Sequence, residues 1–167
     1  MSQGRAMIDR LLAYRRLLIL AAVVLVADQL TKAWIAARLP FGAYGPKGIV
    51  IIRGFLNFVH VGNTGAAWSL FTGRSVLLAT LAVATLVAIF LWRRALGLRQ
   101  PGPQACFGLL CGGIVGNLAD RLGRGHVIDF IDVHFGSYIY PTFNVADSGI
   151  FVGVVLFLFL SLRSTDG

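Results

Sequence analysis

The sequence predicts an all-α membrane protein with four transmembrane helices and a small extracytoplasmic β-sheet between the first two helices. Of its 167 residues, 57% are hydrophobic and only 13% are charged, whereas a soluble domain is about 25% charged. The mean hydropathy is +0.78. This composition is typical of an integral membrane protein, and it excludes a water-soluble globule and a disordered chain. The length fits a single domain.

Four apolar segments match, or nearly match, the roughly 20 residues that cross a bilayer core. The first contains Asp28 and Lys32, the second has no charge, the third is rich in glycine, and the fourth holds one acid, Asp147. The first segment also resembles a signal peptide, but polar residues at its far end and the lack of a convincing cleavage motif argue against that. The predicted spans are 17–37, 75–92, 104–121 and 144–162.

The basic residues predict the orientation of the chain. The formal net charge is +8, and the arginines flank the apolar segments, which is typical of topology determinants rather than of a nucleic-acid-binding face. No nucleic-acid partner is expected. The density of arginines near the helix ends predicts that both termini are cytoplasmic. The arginines on that side are Arg5, Arg10, Arg15, Arg16, Arg93, Arg94, Arg99 and Arg163.

The first outer loop contains two short runs of β-branched and aromatic residues, Ile49–Ile52 and Phe55–Val61. They predict at least two strands of a β-cradle over residues 48–68, resting on the outer membrane surface. The second outer loop, residues 122–142, is rich in Phe and Tyr, and we expect these rings to form a belt at the membrane interface.

Metal and cofactor chemistry has no support in the sequence. Cys106 and Cys111 lie five residues apart in one apolar run and are interpreted as small packing residues. The three histidines form no HExxH motif, since the chain has no glutamate. We therefore predict no metal and no cofactor.

Polar residues concentrate at one depth of the predicted bundle. A charge within the bilayer costs roughly 2.5–3.5 kcal/mol, so its position is informative. The polar and charged residues that would be costly to bury in the bilayer all fall at or near the outer ends of the spans, which predicts a site close to the outer leaflet. They are Asp28, Lys32, Asn63, Asn117, Asp120, Arg121, Asp129, Asn144 and Asp147.

Several of these residues allow a purely structural interpretation. Asp28 and Lys32 are four apart on a helix and could form a surface ion pair, or support a site. The glycines of the third helix repeat every four residues, a spacing that favours close helix packing. Asn144 and Asp147 resemble a helix-capping box.

Asp129 and Asp147 suggest chemistry, because the hairpin between the third and fourth helices can bring them together. Two carboxylates in one low-dielectric site share a proton, as aspartic proteases require for water-activated peptide hydrolysis. Asp132 is expected on the aqueous loop. The alternative function is a small transporter or channel with an acidic relay; a structural subunit would leave the paired acids unexplained.

Five motifs together resemble one family, the bacterial lipoprotein signal peptidases, or signal peptidase II. They occur in the family's order, and five at compatible spacings are highly specific. Trp68 departs slightly, because members often carry Phe there. The motifs are Asp28-Gln-Leu-Thr-Lys32, Asn63-Thr-Gly-Ala-Ala-Trp68, Gly112-Gly-Ile-Val-Gly-Asn-Leu-Ala-Asp-Arg121, Val127-Ile-Asp-Phe130 and Phe143-Asn-Val-Ala-Asp147.

The resemblance implies a metal-independent membrane aspartic peptidase that cuts prolipoproteins before the lipid-modified cysteine. It implies Asp129 and Asp147 as the catalytic pair. Residues matching the substrate and inhibitor pocket are Asn63, Asn117, Arg121 and Asn144, and those matching supporting positions are Asp28, Lys32, Gly65 and Asp120.

The partners follow from the same resemblance. They are diacylglyceryl-modified prolipoproteins, membrane lipids and a cyclic peptide inhibitor such as globomycin. The expected location is the bacterial inner membrane, and the expected state is a monomer.

Overall fold

The computed structural model describes residues 12–66 and 70–165. Trp68, Arg5 and Arg10, on which some predictions rest, lie outside the described residues. The described part is mostly helical, with a small antiparallel sheet. Its helices are α1 (Arg15–Arg38), α2 (Ser75–Leu91), α3 (Pro101–Arg124) and α4 (Val145–Thr165), with a 3-10 turn at Gly45–Lys47. Its strands are β1 (Ile49–Ile52), β2 (Leu56–Asn63), β3 (Val127–Phe135) and β4 (Tyr138–Ile139).

Three helices in the described part are long and apolar enough to cross a membrane: α1, α3 and α4. The fourth, α2, has 17 residues and falls just short of that length. Large apolar side chains point away from the bundle on every side, including Val76, Phe151 and Leu162. Exposure on this scale is typical of a lipid-facing surface rather than a water-facing one.

The third helix is the centre of the bundle, and its glycines explain why. A Cβ atom added at Gly112 would lie 2.6 Å from the carbonyl oxygen of Ala21 on α1, and one at Gly113 would collide with the carbonyl oxygen of Ala146 on α4. Because neither position has room for a side chain, α1 and α4 pack directly against the backbone of α3. The predicted role of the glycines in close packing is confirmed.

Helix α3 is longer than the predicted span of 104–121 by three residues at each end. It starts at Pro101, since proline is well tolerated in the first turn, where its missing N–H has no partner to lose. It ends at Arg124. The next residue, Gly125, has a φ of 76° and forms the left-handed C-cap that glycine adopts readily.

The sheet differs from the predicted cradle in one important way. Strands β1 and β2 form within the predicted range of 48–68, but β3 and β4 come from the second outer loop, and the order is β1-β2-β3-β4. In the β2–β3 pair Val61 lies opposite Asp129 and Asn63 lies opposite Val127. The second loop is therefore not only an aromatic belt, and Asp129 lies on β3, the first strand of an antiparallel hairpin.

The sheet also rests on the outer end of α1. Ile35 and Leu39 pack with Ala43, Ile128 and Phe130 in one buried cluster. This small core joins the sheet to the helix bundle and holds β3 against the outer end of α1.

Candidate active site

Four elements meet at the end of the bundle beneath the sheet. Helix α1 and helix α3 end there, α4 begins there, and β3 crosses above them. The ten candidate residues lie on these elements and on the segment that includes and follows the end of β2, and the structure joins them through hydrogen bonds.

One part of the site is a set of buried ion pairs formed by Asp28, Lys32 and Asp120, which we call the support cluster. The Nζ atom of Lys32 lies 2.8 Å from Oδ2 of Asp28 and 2.9 Å from Oδ2 of Asp120, and all three side chains are 0% exposed. An exposed surface pair with Lys32 reaching to the headgroups is therefore the wrong interpretation of Asp28 and Lys32.

The support cluster also holds the surrounding backbone in position. Oδ1 of Asp28 accepts a hydrogen bond from the N–H of Ala146 in the first turn of α4 (2.9 Å). Oδ2 of Asp120 accepts one from the N–H of Ile128 on β3 (3.2 Å). The support cluster thus joins α1, α3, α4 and β3 next to Asp129 and Asp147.

Asp147 lies at the start of α4 in the predicted capping box. Its N–H donates to Oδ1 of Asn144 (2.9 Å), and the N–H of Asn144 donates to Oδ2 of Asp147 (3.3 Å). In addition, Nδ2 of Asn117 on α3 donates to Oδ1 of Asp147 at 2.7 Å. The capping prediction is confirmed, and the cap also fixes the orientation of the carboxylate.

Asp129 lies on β3 and is 1% exposed. Nδ2 of Asn63 donates to its Oδ2 atom (2.9 Å), and Nδ2 of Asn144 donates to its Oδ1 atom (2.7 Å). Asn144 therefore contacts both acids, Asp129 through its side chain and Asp147 through its backbone N–H. We call Asp129 and Asp147 the acid pair.

The surroundings of Asp129 raise its pKa toward neutral pH. Burial is the main cause that raises the pKa of Asp129, and the nearby charge of Asp147 adds to it, bringing the value to about 7. The hydrogen bonds from Asn63 and Asn144 and the charge of Lys32 oppose that rise. Asp129 can therefore hold or release a proton near physiological pH, which suits an acid–base group.

Arg121 and Gly65 form the side of the site that faces the cradle. Nη2 of Arg121 donates to the carbonyl oxygen of Gly65 at 3.0 Å, and the N–H of Gly65 donates to Oδ1 of Asn63 at 2.8 Å. The Nε–H of Arg121 is buried and has no acceptor among the described residues. A buried donor of this kind suits an acceptor supplied by a bound peptide.

The described residues contain no group of three or more His, Cys, Asp or Glu side chains arranged to hold a metal ion. Cys106 and Cys111 are free. Cys106 packs in an apolar cluster with Leu98 and Phe107, as its interpretation as a packing residue implies.

One acid was placed wrongly from the sequence. Asp132 is not on an aqueous loop but on β3, 1% exposed. Its carboxylate accepts hydrogen bonds from Oη of Tyr44 (3.0 Å), Nδ2 of Asn57 (3.1 Å) and Nε2 of His134 (2.7 Å). Asn57 lies opposite Asp132 across the β2–β3 pair, and this pairing of two distant loops is what the local sequence did not indicate.

The chain is similar to known proteins of one family. The family model described as signal peptidase (SPase) II matches residues 20–163. The lipoprotein signal peptidase of Desulforapulum autotrophicum is 38% identical over 152 residues, covering 86% of this chain and 90% of the relative. That of Oleidesulfovibrio alaskensis is 41% identical over 143 residues, covering 81% and 86%. The chain belongs to the signal peptidase II family.

A solved structure supports the family fold. A bacterial membrane enzyme determined by the in meso method has a TM-score of 0.81 and 32% sequence identity, covering 89% of this chain and 88% of its own. The family and the enzyme class predicted from the five motifs are confirmed: this signal peptidase II is a membrane peptidase of the aspartic type. The alternative of a transporter is not supported.

Proposed function

We propose that this signal peptidase II cleaves diacylglyceryl-modified prolipoproteins directly before the lipidated cysteine, with Asp129 and Asp147 as its catalytic pair. Signal peptide removal from prolipoproteins accords with its family. The observation that carries the assignment is that Asn144 contacts both carboxylates, while neither forms an ion pair within the described residues.

The acid pair suits hydrolysis by a general base and a general acid. The ionised member takes a proton from water as the water oxygen bonds to the scissile carbonyl carbon, and the protonated member donates its proton to the carbonyl oxygen. Breakdown of the tetrahedral intermediate breaks the C–N bond, and the leaving amine receives a proton from the pair. Because the direct hydrogen-bond partners of the pair are amide groups rather than cations, one of its carboxyl groups can stay protonated at neutral pH.

The other candidate residues have distinct roles in this proposal. Four side chains line the substrate path and hold an extended peptide by hydrogen bonds: Arg121, Asn63, Asn117 and Asn144. The Nε–H of Arg121 donates to a substrate carbonyl. Asp28, Lys32, Gly65 and Asp120 keep these side chains in place. The same pocket would bind a cyclic peptide inhibitor such as globomycin.

We further propose that α2 is the fourth transmembrane helix of a monomer in the bacterial inner membrane, with both termini cytoplasmic. Support comes from the apolar composition of α2, which is one residue short of an 18-residue span, and from arginines at the bundle end away from the acid pair. The acid pair then lies near the outer leaflet, where a diacylglyceryl chain would reside. A reporter that is active only outside the cytoplasm, fused after Gly167, should be silent.

The central experiment is cleavage of a lipidated prolipoprotein peptide by the purified full chain in detergent. Asp129→Asn and Asp147→Asn should each lower the rate by a factor of roughly 10² to 10⁴, the typical contribution of general acid–base catalysis. The double variant should be no slower than the single ones, because the two groups act as a unit. EDTA should have no effect.

Asp132→Asn is the matched control, since it makes the same chemical change three residues away on the same strand. It should retain activity, because Asp132 bonds to Tyr44, Asn57 and His134 rather than to the acid pair. Near wild-type turnover by folded Asp129→Asn or Asp147→Asn protein would contradict the assignment.

A further inference from the structure

A second polar pocket lies at the opposite end of the bundle from the acid pair. It is a cavity of about 200 Å³ between the N-terminal ends of α1 and α3. Three of its lining residues are arginines, Arg15, Arg16 and Arg99, and none of the described residues that line it carries a carboxylate. The proposed peptidase activity does not use this pocket.

The arginines of this pocket are not neutralised within the described residues. None of the three side chains forms an ion pair there. Helices α1 and α3 both begin at the pocket; neither has an acidic residue in its first turn, and neither N-cap residue, Tyr14 or Gln100, caps its helix with its side chain. The positive ends of two helix dipoles therefore add to three guanidinium charges.

The floor of the pocket is formed by a buried, hydrogen-bonded amide side chain, that of Gln104. Gln104 is only 4% exposed. Its Nε2 donates to the carbonyl oxygen of Ala13 (2.7 Å), and its Oε1 accepts from the N–H of Arg16 (3.2 Å). This buried amide fixes the start of α1 against α3, so that the backbone of Arg16 is held over the pocket.

The position of the pocket along the helices favours a lipid as its occupant. Ile19, four residues after Arg15, is already 60% exposed on the apolar outer surface of the bundle. The arginines thus stand at the depth where the hydrocarbon of the bilayer gives way to headgroups. Guanidinium groups bind phosphate through paired hydrogen bonds.

We propose that this pocket binds the phosphate headgroup of an anionic phospholipid. Basic pockets between transmembrane helices are suited to such headgroups. A lipid held there would join the first and third helices at the end opposite the acid pair, in addition to the contact that Gln104 makes.

The test is binding to the purified full chain in a zwitterionic detergent, with phosphatidylglycerol, phosphatidylcholine and inorganic phosphate as probes. Retention of each probe is measured by native mass spectrometry, and stabilisation is measured by thermal unfolding. The variant is Arg16→Gln combined with Arg99→Gln. The matched control is Arg94→Gln combined with Arg163→Gln, which removes the same charge at the same end of the bundle without touching the pocket.

We expect phosphatidylglycerol to bind and to raise the unfolding temperature, with little effect of the other two probes. Each pocket arginine removed should weaken phosphatidylglycerol binding about fivefold, while the control pair changes it by less than about twofold. An equal loss in the control pair would indicate diffuse charge attraction and overturn the proposal. Equally tight binding of phosphatidylcholine, or of inorganic phosphate alone, would also overturn it, the latter by assigning the pocket to a soluble anion.

Discussion

Two sets of buried acids lie side by side in the site, and their carboxylates have different kinds of partner. In the support cluster, Lys32 bridges Asp28 and Asp120, and Arg124 adds a second cation at 2.6 Å from Asp120. In the acid pair, the direct partners of Asp129 and Asp147 are the amide groups of asparagines and one backbone N–H.

The difference lies in whether a cation or an amide group is the direct partner of each carboxylate. In the support cluster two cations face two carboxylates and hold them by ion pairs. Amide donors stabilise a carboxylate without cancelling its charge, so the acid pair can lower its energy by taking up a proton. Burial therefore does not distinguish the two sets of acids; the presence or absence of a cation as a direct partner does.

Removal of the bridging cation should have the largest effect on stability. Lys32→Met leaves Asp28 and Asp120 facing each other with Arg124 as the only remaining cation. Loss of one partner from a buried ion pair costs on the order of 3–5 kcal/mol, so the unfolding temperature in detergent should fall sharply. Lys32→Arg is the control for charge, and it should recover part of the loss. Wild-type stability of Lys32→Met would show that the cluster does not hold the fold together.

At the acid pair, the stability of the protein should depend on pH, because the pKa of Asp129 is raised in the folded state. Its pKa is about 7 in the folded protein against 3.8 for an unperturbed aspartate, so the folded state binds the proton more tightly. The stability that protonation provides is complete below pH 3.8 and is lost as the pH rises through 7.

Asp129→Asn removes this loss, because the amide has no charge to bury. Relative to wild type, the variant should gain stability as the pH rises from about 4 to 7, by on the order of 1 kcal/mol per pH unit, and then level off. Thermal unfolding from pH 5 to 8 measures this, with Asp132→Asn as the control. A difference that does not change with pH would mean that Asp129 is ionised throughout, and the acid pair would then resemble the support cluster.

The glycines of α3 offer a way to disturb the support cluster without changing its charge. A Cβ atom at Gly116 would lie 2.6 Å from Oδ2 of Asp28, so Gly116→Ala must displace that carboxylate from Lys32. The expected cost is roughly 1–3 kcal/mol, typical of overpacking. Gly123→Ala is the control on the same helix, since its added Cβ meets nothing within 4 Å. It should raise helix stability slightly; equal losses in both variants would point to a general intolerance of α3.

The sequence predicted those parts of the site that depend on local spacing. The capping box of Asn144 and Asp147 is such a case, as is the i, i+4 pair of Asp28 and Lys32, because a helix fixes both geometries within one or two turns. The family motifs then identified the acid pair, whose catalytic role stays a proposal.

What the sequence did not predict depends on contacts between distant segments. The register of β2 against β3 joins residues about 70 positions apart, and no local pattern encodes it. That pairing brings Asn63 to Asp129 and buries Asp132 beside Asn57. Asn144 could be identified as a cap, but its contact with Asp129 needs β3 in place, and β3 had been interpreted as loop.

Asp132 should give the smallest effect, and it tests whether the comparison extends to a third buried acid. Its partners are Tyr44, Asn57 and His134, and burial together with the hydrogen bond to Asp132 raises the pKa of Tyr44. None of these three residues hydrogen-bonds to Asp129 or Asp147 within the described part of the chain, so Asp132→Asn should cost about 1–2 kcal/mol of stability with cleavage near wild type. Tyr44→Phe removes one hydrogen bond of the same carboxylate and should cost about 1 kcal/mol. Folded but inactive Asp132→Asn protein would show that this acid takes part in catalysis, and the distinction between amide-bound and cation-bound acids would then be insufficient.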